Sequence, residues 1–223
     1  MKYFFYFSIV LFISFCIYVI IVNRNSKQMT LKQKILKAVY PQLMWFSKKN
    51  AKTLAPSSNQ NTISPVSFYS LEGELISGKP FGFDQLKGKK ILLVNTASDC
   101  GYTRQYEDLQ KLQQQFENKL VIIGFPSNEF SEQEKADNSS IEKFCKINYG
   151  VSFPLMKKSN VKKSDDQNKV YKWLTDATQN GWNDKQPEWN FSKYLIDENG
   201  KLVDYFTPAV SPLDSVVLKA IEN

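Results

Sequence analysis

The chain has 223 residues, of which 42% are hydrophobic and 14% aromatic. This composition can build a packed core and excludes a disordered chain. The formal net charge is +7, but residues 1–62 hold nine basic side chains and no acidic one, so the rest carries 20 basic and 22 acidic side chains. The globular part therefore offers no basic surface for nucleic acid.

The sequence contains no histidine. This absence removes the usual partner from Cys-His and Ser-His hydrolases, from His-ligated haem and from most catalytic zinc sites. The three cysteines, Cys16, Cys100 and Cys145, are too few for a disulfide scaffold and lack metal-ligand spacing. We therefore predict neither a metal nor a cofactor.

Residues 3–22 carry no charge, and about 20 apolar residues suffice for a helix to cross a bilayer. The stretch predicts a transmembrane anchor over residues 1–22. A buried core helix and a cleaved signal peptide are the alternatives, although no small-residue cleavage site follows. The basic residues after the stretch outnumber those before it, which favours a catalytic domain on the cytoplasmic side of the membrane.

Residues 23–62 read as a basic juxtamembrane segment and linker. Apolar residues recur at helical spacing among lysines from Leu31 to Phe46. This pattern fits either an amphipathic helix on anionic lipid or a solvated helical stalk that breaks at Pro41. The stretch "APSSNQNT" has linker composition, so the domain is expected over residues 63–223.

The domain alternates strand and helix patterns. Strands are predicted in residues 66–78 (strand, turn, strand), 89–97 and 119–126, with a hairpin over 193–208. Helices are predicted in residues 103–118, 138–150, 169–177 and 211–223, the last with Ser211 as cap and Pro212 at its first position. This order predicts an α/β fold of thioredoxin type, with a central mixed sheet flanked by helices.

Cys100 falls at the corner between a buried strand and a helix. Free N–H groups at a helix amino terminus stabilise a thiolate, so we expect a lowered pKa, opposed by Asp99 if its carboxylate points inward. A buried, inert cysteine remains the alternative. Thr103 stands where a Cys-x-x-Cys oxidoreductase carries its second thiol, which argues against a dithiol exchanger.

Three blocks carry a resemblance to a known family: "NTASDCGYT" (95–103), "FPSNEFSEQE" (125–134) and "WNFSKYL" (189–195). In this order they resemble the signature blocks of the glutathione peroxidases, and the likeness runs from about Val66 to Ile221. It implies a thioredoxin fold and the reduction of hydrogen peroxide or organic hydroperoxides.

Carried over by position, the resemblance makes Cys100 the peroxidatic cysteine and places Gln133, Trp189 and Asn190 around its sulfur. Amide and indole N–H groups are neutral donors that can stabilise a thiolate without histidine. Taken without the resemblance, the same three residues read as a solvated loop residue, a core aromatic and a turn residue.

The resemblance also gives Cys145 the position of a resolving cysteine, although a packed helix cysteine is the alternative. The short connection between Trp173 and Trp189 favours a monomeric domain that uses thioredoxin rather than glutathione as reductant. We expect an antioxidant thiol peroxidase, with lipid hydroperoxides among its substrates because of the anchor. A peroxide-sensing relay and a silent binding module are the other readings.

Overall fold

The structure is a computed structural model that describes residues 2–24, 26–56 and 64–223, with side chains described from Tyr6 onward. Its helices are α1 (Lys2–Val22), α2 (Leu31–Ser47), α3 (Gln105–Gln115), α4 (Asn138–Tyr149), α5 (Lys169–Leu174), α6 (Ala177–Asn180) and α7 (Ser215–Glu222). Its strands are β1 (Thr53–Leu54), β2 (Glu72–Glu74), β3 (Pro80–Gly82), β4 (Lys90–Thr96), β5 (Leu120–Pro126), β6 (Lys193–Ile196) and β7 (Leu202–Phe206).

Five strands form the main sheet in the order β1-β7-β6-β4-β5. β4 pairs in parallel with β5 and antiparallel with β6, and β7 pairs antiparallel with both β6 and β1. β2 and β3 form a separate hairpin. β4 is buried along nearly its whole length because its side chains are apolar on both faces of the sheet.

Alternate side chains of β4 enter two apolar cores. Leu92 and Val94 face a core that α3, α4 and α7 cover, whereas Ile91 and Leu93 face a second core that α5 covers. The period of two along a strand produces this division. The predicted α/β arrangement of a mixed sheet between helices is thus present, and the carboxyl end of β4 opens between the layers.

The predicted transmembrane anchor at residues 3–22 is a helix, α1, and its middle exposes apolar side chains such as Phe12. Of the helices in the described ranges, however, none is both long enough and apolar enough to cross a membrane. The carboxyl end of α1 packs on α2, where the Tyr18 hydroxyl donates to the Ala38 carbonyl at 3.2 Å. The structure therefore does not support the membrane span, and the cytoplasmic placement stays a prediction.

The segment after α1 packs against the domain. α2 runs through Pro41 without the predicted break, and it buries Lys37, Ala38 and Tyr40. After α2 the chain adds β1 to the edge of β7. A solvated stalk does not describe this segment, because its side chains contact the domain. The predicted boundary between residues 62 and 63 lies outside the described residues.

Some elements begin elsewhere than their patterns predict. A turn of 3₁₀ helix, Phe68–Ser70, occupies the first strand predicted in residues 66–78. α7 begins at Ser215 instead of Pro212, because the Asp214 carboxylate accepts from the Val216 N–H at 3.1 Å and caps the helix there. The most consequential shift is in α3, which begins at Gln105 and leaves Cys100 in a turn.

Candidate active site

Cys100 lies in the turn that connects β4 to α3. The Thr103 hydroxyl holds this turn closed: it donates to the Ala97 carbonyl at 2.8 Å and accepts from the Cys100 N–H at 3.0 Å. Both Ala97 and Cys100 are almost fully buried. Thr103, at the position of a second thiol in dithiol exchangers, therefore fixes the backbone that carries Cys100.

Neutral donors surround the sulfur of Cys100. The Tyr102 N–H reaches it at 3.4 Å, and the Gly101 N–H, the Trp189 indole and the Asn190 amide also donate to it. Asn190 is fully buried, and its Nδ2 donates in addition to Oε1 of Gln133 at 3.0 Å. The structure thus brings Cys100, Gln133, Trp189 and Asn190 together, as the resemblance implies.

Burial nevertheless raises the pKa of the Cys100 thiol above its ordinary value of 9.0. The N–H groups of Tyr102 and Gly101, together with Trp189 and Asn190, act in the opposite direction. The expected lowering by a helix amino terminus is not found, because α3 begins five residues later and the sulfur is only 1% exposed. The donors are therefore placed to stabilise a thiolate that the enclosed site disfavours.

The loop bearing Trp189 and Asn190 is fastened to the end of β4. The Asn95 side chain donates to the Trp189 carbonyl at 3.0 Å, and the Asn95 carbonyl accepts from the Phe191 N–H at 2.6 Å. Phe191 has a φ of 68°, a left-handed conformation that costs a bulky side chain free energy. Fastening on both sides holds this conformation and aims the Asn190 amide at the sulfur.

Gln133 comes from a loop that also carries backbone strain. Ser131 and Glu132 have φ values of 53° and 52°, which non-glycine residues adopt only where the surroundings impose them. The Gln133 carbonyl accepts from the Asp99 N–H at 3.0 Å, so this loop is tied directly to the Cys100 turn. Two strained loops from distant parts of the sequence therefore converge on one sulfur.

The carboxylate of Asp99 points away from the sulfur, toward α2. Its Oδ1 accepts from Nε2 of Gln33 at 2.6 Å, and its Oδ2 lies 3.7 Å from Nζ of Lys32. The condition under which Asp99 would oppose ionisation of Cys100, an inward orientation, is thus not met.

Cys145 lies on α4 and is fully buried in the core cluster that also contains Cys100. Burial raises the pKa of its thiol to about 12, and a hydrogen bond with the Tyr106 side chain opposes that shift. Both cysteines are free thiols. The sulfur of Cys145 thus has Tyr106 as its partner, not the donors that surround Cys100.

Two buried charged residues near these loops escaped the sequence analysis. Lys193 is completely buried on β6, and its Nζ donates to the carbonyls of Phe191 and Val210 at 2.8 Å each. Glu134, next to Gln133, is 1% exposed and accepts from the Ser98 hydroxyl at 3.0 Å. A lysine within the apolar run of β6 was a signal for the first, since lysine is rarely buried without a purpose. No comparable signal marked Glu134.

Comparison with known proteins identifies the family. The glutathione peroxidase profile matches residues 68–175. A glutathione peroxidase-like peroxiredoxin 2 of Saccharomyces cerevisiae is 45% identical over 148 residues, which are 66% of this chain and 91% of the relative. The chain belongs to the glutathione peroxidase family. The glutathione peroxidase-like peroxiredoxin GPX5 of Chlamydomonas reinhardtii is 44% identical over 65% of this chain and 89% of its own.

Solved structures agree with this assignment. The crystal structure of Trgpx in its apo form has a TM-score of 0.55 and 31% identity, and the match covers 72% of this chain and 98% of that one. A thioredoxin-family thiol:disulfide interchange protein from Chlorobium tepidum, at 20% identity, a TM-score of 0.50 and coverage of 71% and 98%, shows the fold alone. The predicted thioredoxin-like fold is confirmed, and this glutathione peroxidase family member is a peroxidase, an oxidoreductase.

Proposed function

We propose that the protein reduces hydrogen peroxide and organic hydroperoxides at Cys100. The observation that supports this proposal most directly is the enclosure of one sulfur by two backbone N–H groups, the Trp189 indole and the Asn190 amide. Oδ1 of Asn190 is buried and, within the described residues, has no hydrogen-bond partner. It is an available acceptor for the O–H of a hydroperoxide.

The first step is nucleophilic attack by the Cys100 thiolate on the peroxide. An S–O bond forms while the O–O bond breaks, and the leaving oxygen takes a proton to give water or an alcohol. Cys100 becomes a sulfenic acid, the reversible first stage of cysteine oxidation. The donors that stabilise the thiolate also face the oxygen that departs, so this step needs no histidine.

The second step joins Cys100 to Cys145. The Cys145 thiolate attacks the sulfenic sulfur, so that an S–S bond forms, the S–O bond breaks and hydroxide leaves as water. A disulfide requires Cα atoms about 4.4–6.8 Å apart. Because the Cys145 side chain is fully buried on the inner side of α4, against Tyr106, this step calls for local opening of α4.

The proposed reductant is thioredoxin, which would open the disulfide by thiol exchange and become oxidised itself; glutathione is the alternative. The connection between Trp173 and Trp189 supports this choice, because its only helix within the described residues is the short α6. A compact connection also suits a monomeric domain. The expectation of lipid hydroperoxides rested on a membrane anchor and loses that support.

Thiol mapping tests the proposal. The reduced Cys16→Ser protein, which retains the two relevant thiols, is treated with one equivalent of hydrogen peroxide and analysed by mass spectrometry with and without thioredoxin. We expect a Cys100–Cys145 disulfide that thioredoxin removes, and in the matched Cys145→Ser variant an accumulating sulfenic acid at Cys100.

Other outcomes contradict particular parts of the proposal. A sulfenic acid at Cys100 that persists while Cys145 stays free would overturn the two-cysteine mechanism, and an unmodified Cys100 would overturn the peroxidase reaction at this residue. Turnover that stays stoichiometric with excess thioredoxin would point instead to a relay that passes its disulfide to a partner protein.

A further inference from the structure

We propose that residues 26–47, the N-terminal strap, restrain the helix that carries Cys145, and that Lys37 is the positioning residue through which they do so. The strap precedes residues 68–175, which the family profile matches. This inference rests on the proposed second step, in which α4 opens to bring Cys145 to Cys100. It assigns to the strap control over the rate of that step.

The strap contacts the last turns of α4, next to Cys145. The Gln28 N–H donates to Oδ1 of Asn148 at 3.4 Å, and Nζ of Lys37 lies 5.0 Å from the centre of the Tyr149 ring. Met29 is 8% exposed and packs into the core cluster that contains both Cys145 and Tyr149. A polar contact, a cation–π contact and a buried apolar side chain therefore all hold this end of α4.

The other side of the strap is fixed to α3 and to the Cys100 turn. Nζ of Lys37 lies 2.8 Å from Oε1 of Glu107 on α3, and this contact, helped by Arg104, outweighs burial and keeps the pKa of Glu107 below its ordinary value. Leu43 packs on Gly101, where a Cβ atom would meet it at 3.4 Å. The Gln33 contact with Asp99, described above, adds a second attachment beside Cys100.

Lys37 joins these two sides. Its side chain is only 8% exposed and it also reaches the Ser26 hydroxyl at 3.4 Å, so one ammonium group faces α3, the strap and Tyr149 at once. When the end of α4 opens, the contact with Tyr149 must break while the ion pair with Glu107 still holds the strap on α3. The strap thus raises the free energy of the open state from which Cys145 reacts.

Lys37→Met tests this inference, because methionine keeps most of the apolar stem and loses the charge. The full chain is reduced and amide hydrogen exchange is measured over α4; then stopped-flow follows, after one equivalent of hydrogen peroxide, the oxidation of Cys100 and the later formation of the disulfide. We expect exchange at the end of α4 and disulfide formation to become about fivefold faster, an order set by one cation–π contact. The first step should change less than about twofold.

The controls separate the restraint from general loosening. Lys37→Arg should retain wild-type exchange, and Lys48→Met should have no effect, because Lys48 is exposed and forms no ion pair within the described part of the chain. Glu107→Gln, which keeps a hydrogen-bonding side chain, should show a smaller acceleration in the same direction and provides a second route should Lys37→Met fold poorly.

Unchanged exchange in α4 in both Lys37→Met and Glu107→Gln would overturn the restraint. Faster exchange with an unchanged rate of disulfide formation would overturn its control of the second step. If the wild-type protein forms no Cys100–Cys145 disulfide, the proposed resolving reaction fails instead, and the exchange measurement, which needs no peroxide, still decides whether the strap holds α4.

Discussion

Thr103→Val removes one hydroxyl and keeps the shape of the side chain. The hydroxyl bridges two buried backbone groups, the Ala97 carbonyl and the Cys100 N–H, and valine can bond to neither. A buried polar group left without its partner costs about 1–3 kcal/mol. With two such groups and some relaxation of the turn, we expect the free energy of unfolding to fall by about 2–4 kcal/mol, a decrease in Tm of roughly 5–15 °C for a protein of this size.

Urea unfolding followed by tryptophan fluorescence measures this loss, and iodoacetamide alkylation of Cys100 measures whether the turn still holds the sulfur among its donors. Thr103→Ser is the matched control, since it keeps the hydroxyl and removes a methyl group, at a cost of about 1 kcal/mol. If Thr103→Val were as stable as Thr103→Ser, the hydroxyl would not be what closes the turn, and the account of the Cys100 backbone given above would be refuted.

Three further predictions concern charge and pH. Trp189→Phe removes an indole donor that lowers the pKa of Cys100, so the pH profile of the peroxide reaction should move to higher pH and the rate at pH 7 should fall about tenfold per pKa unit; an unmoved profile would contradict the contact. Burial lowers the pKa of Lys193 to about 7 from 10.5, so the unfolded chain binds more protons between these values and stability should rise with pH across that window. Urea titrations should show that Lys193→Met lacks this rise, and an equal rise in both proteins would count against it. Burial raises the pKa of Glu134 to about 7 from 4.5, so the folded protein binds more protons there and stability should fall as pH increases from 4.5 to 7; Glu134→Gln should abolish that fall, and a persisting fall would assign it to another group.

Local patterns predict the elements that position the reactive cysteine. The apolar run before Asn95 marks β4 as a buried strand and places Cys100 just beyond its end. α4 is equally legible, because Asp137 caps its start and Gly150, with a φ of 65°, ends it. Near neighbours in the sequence set these features, so a reading of the residues is enough to find them.

Contacts between distant segments could not be found in this way. The spacing in α2 shows that one side of the helix is apolar, but not what covers it, and a lysine in a basic stretch normally faces water. Lys37 is buried only because Glu107 and Tyr149 lie opposite, on helices much later in the chain. The start of α3 was missed for a related reason, since Thr103 closes a turn that its local sequence presents as the first turn of a helix.

The two-residue strand β1 has a consequence for any attempt to study the conserved domain alone. Paired with Phe206 and Tyr205, it covers the outer edge of β7, and Lys52 adds an N–H bond to Thr207 at 2.9 Å. A protein shortened to begin after residue 63 would present β7 as an open sheet edge, a template for pairing between molecules. Aggregation of such a fragment would then report on a missing edge strand, not on an unstable fold.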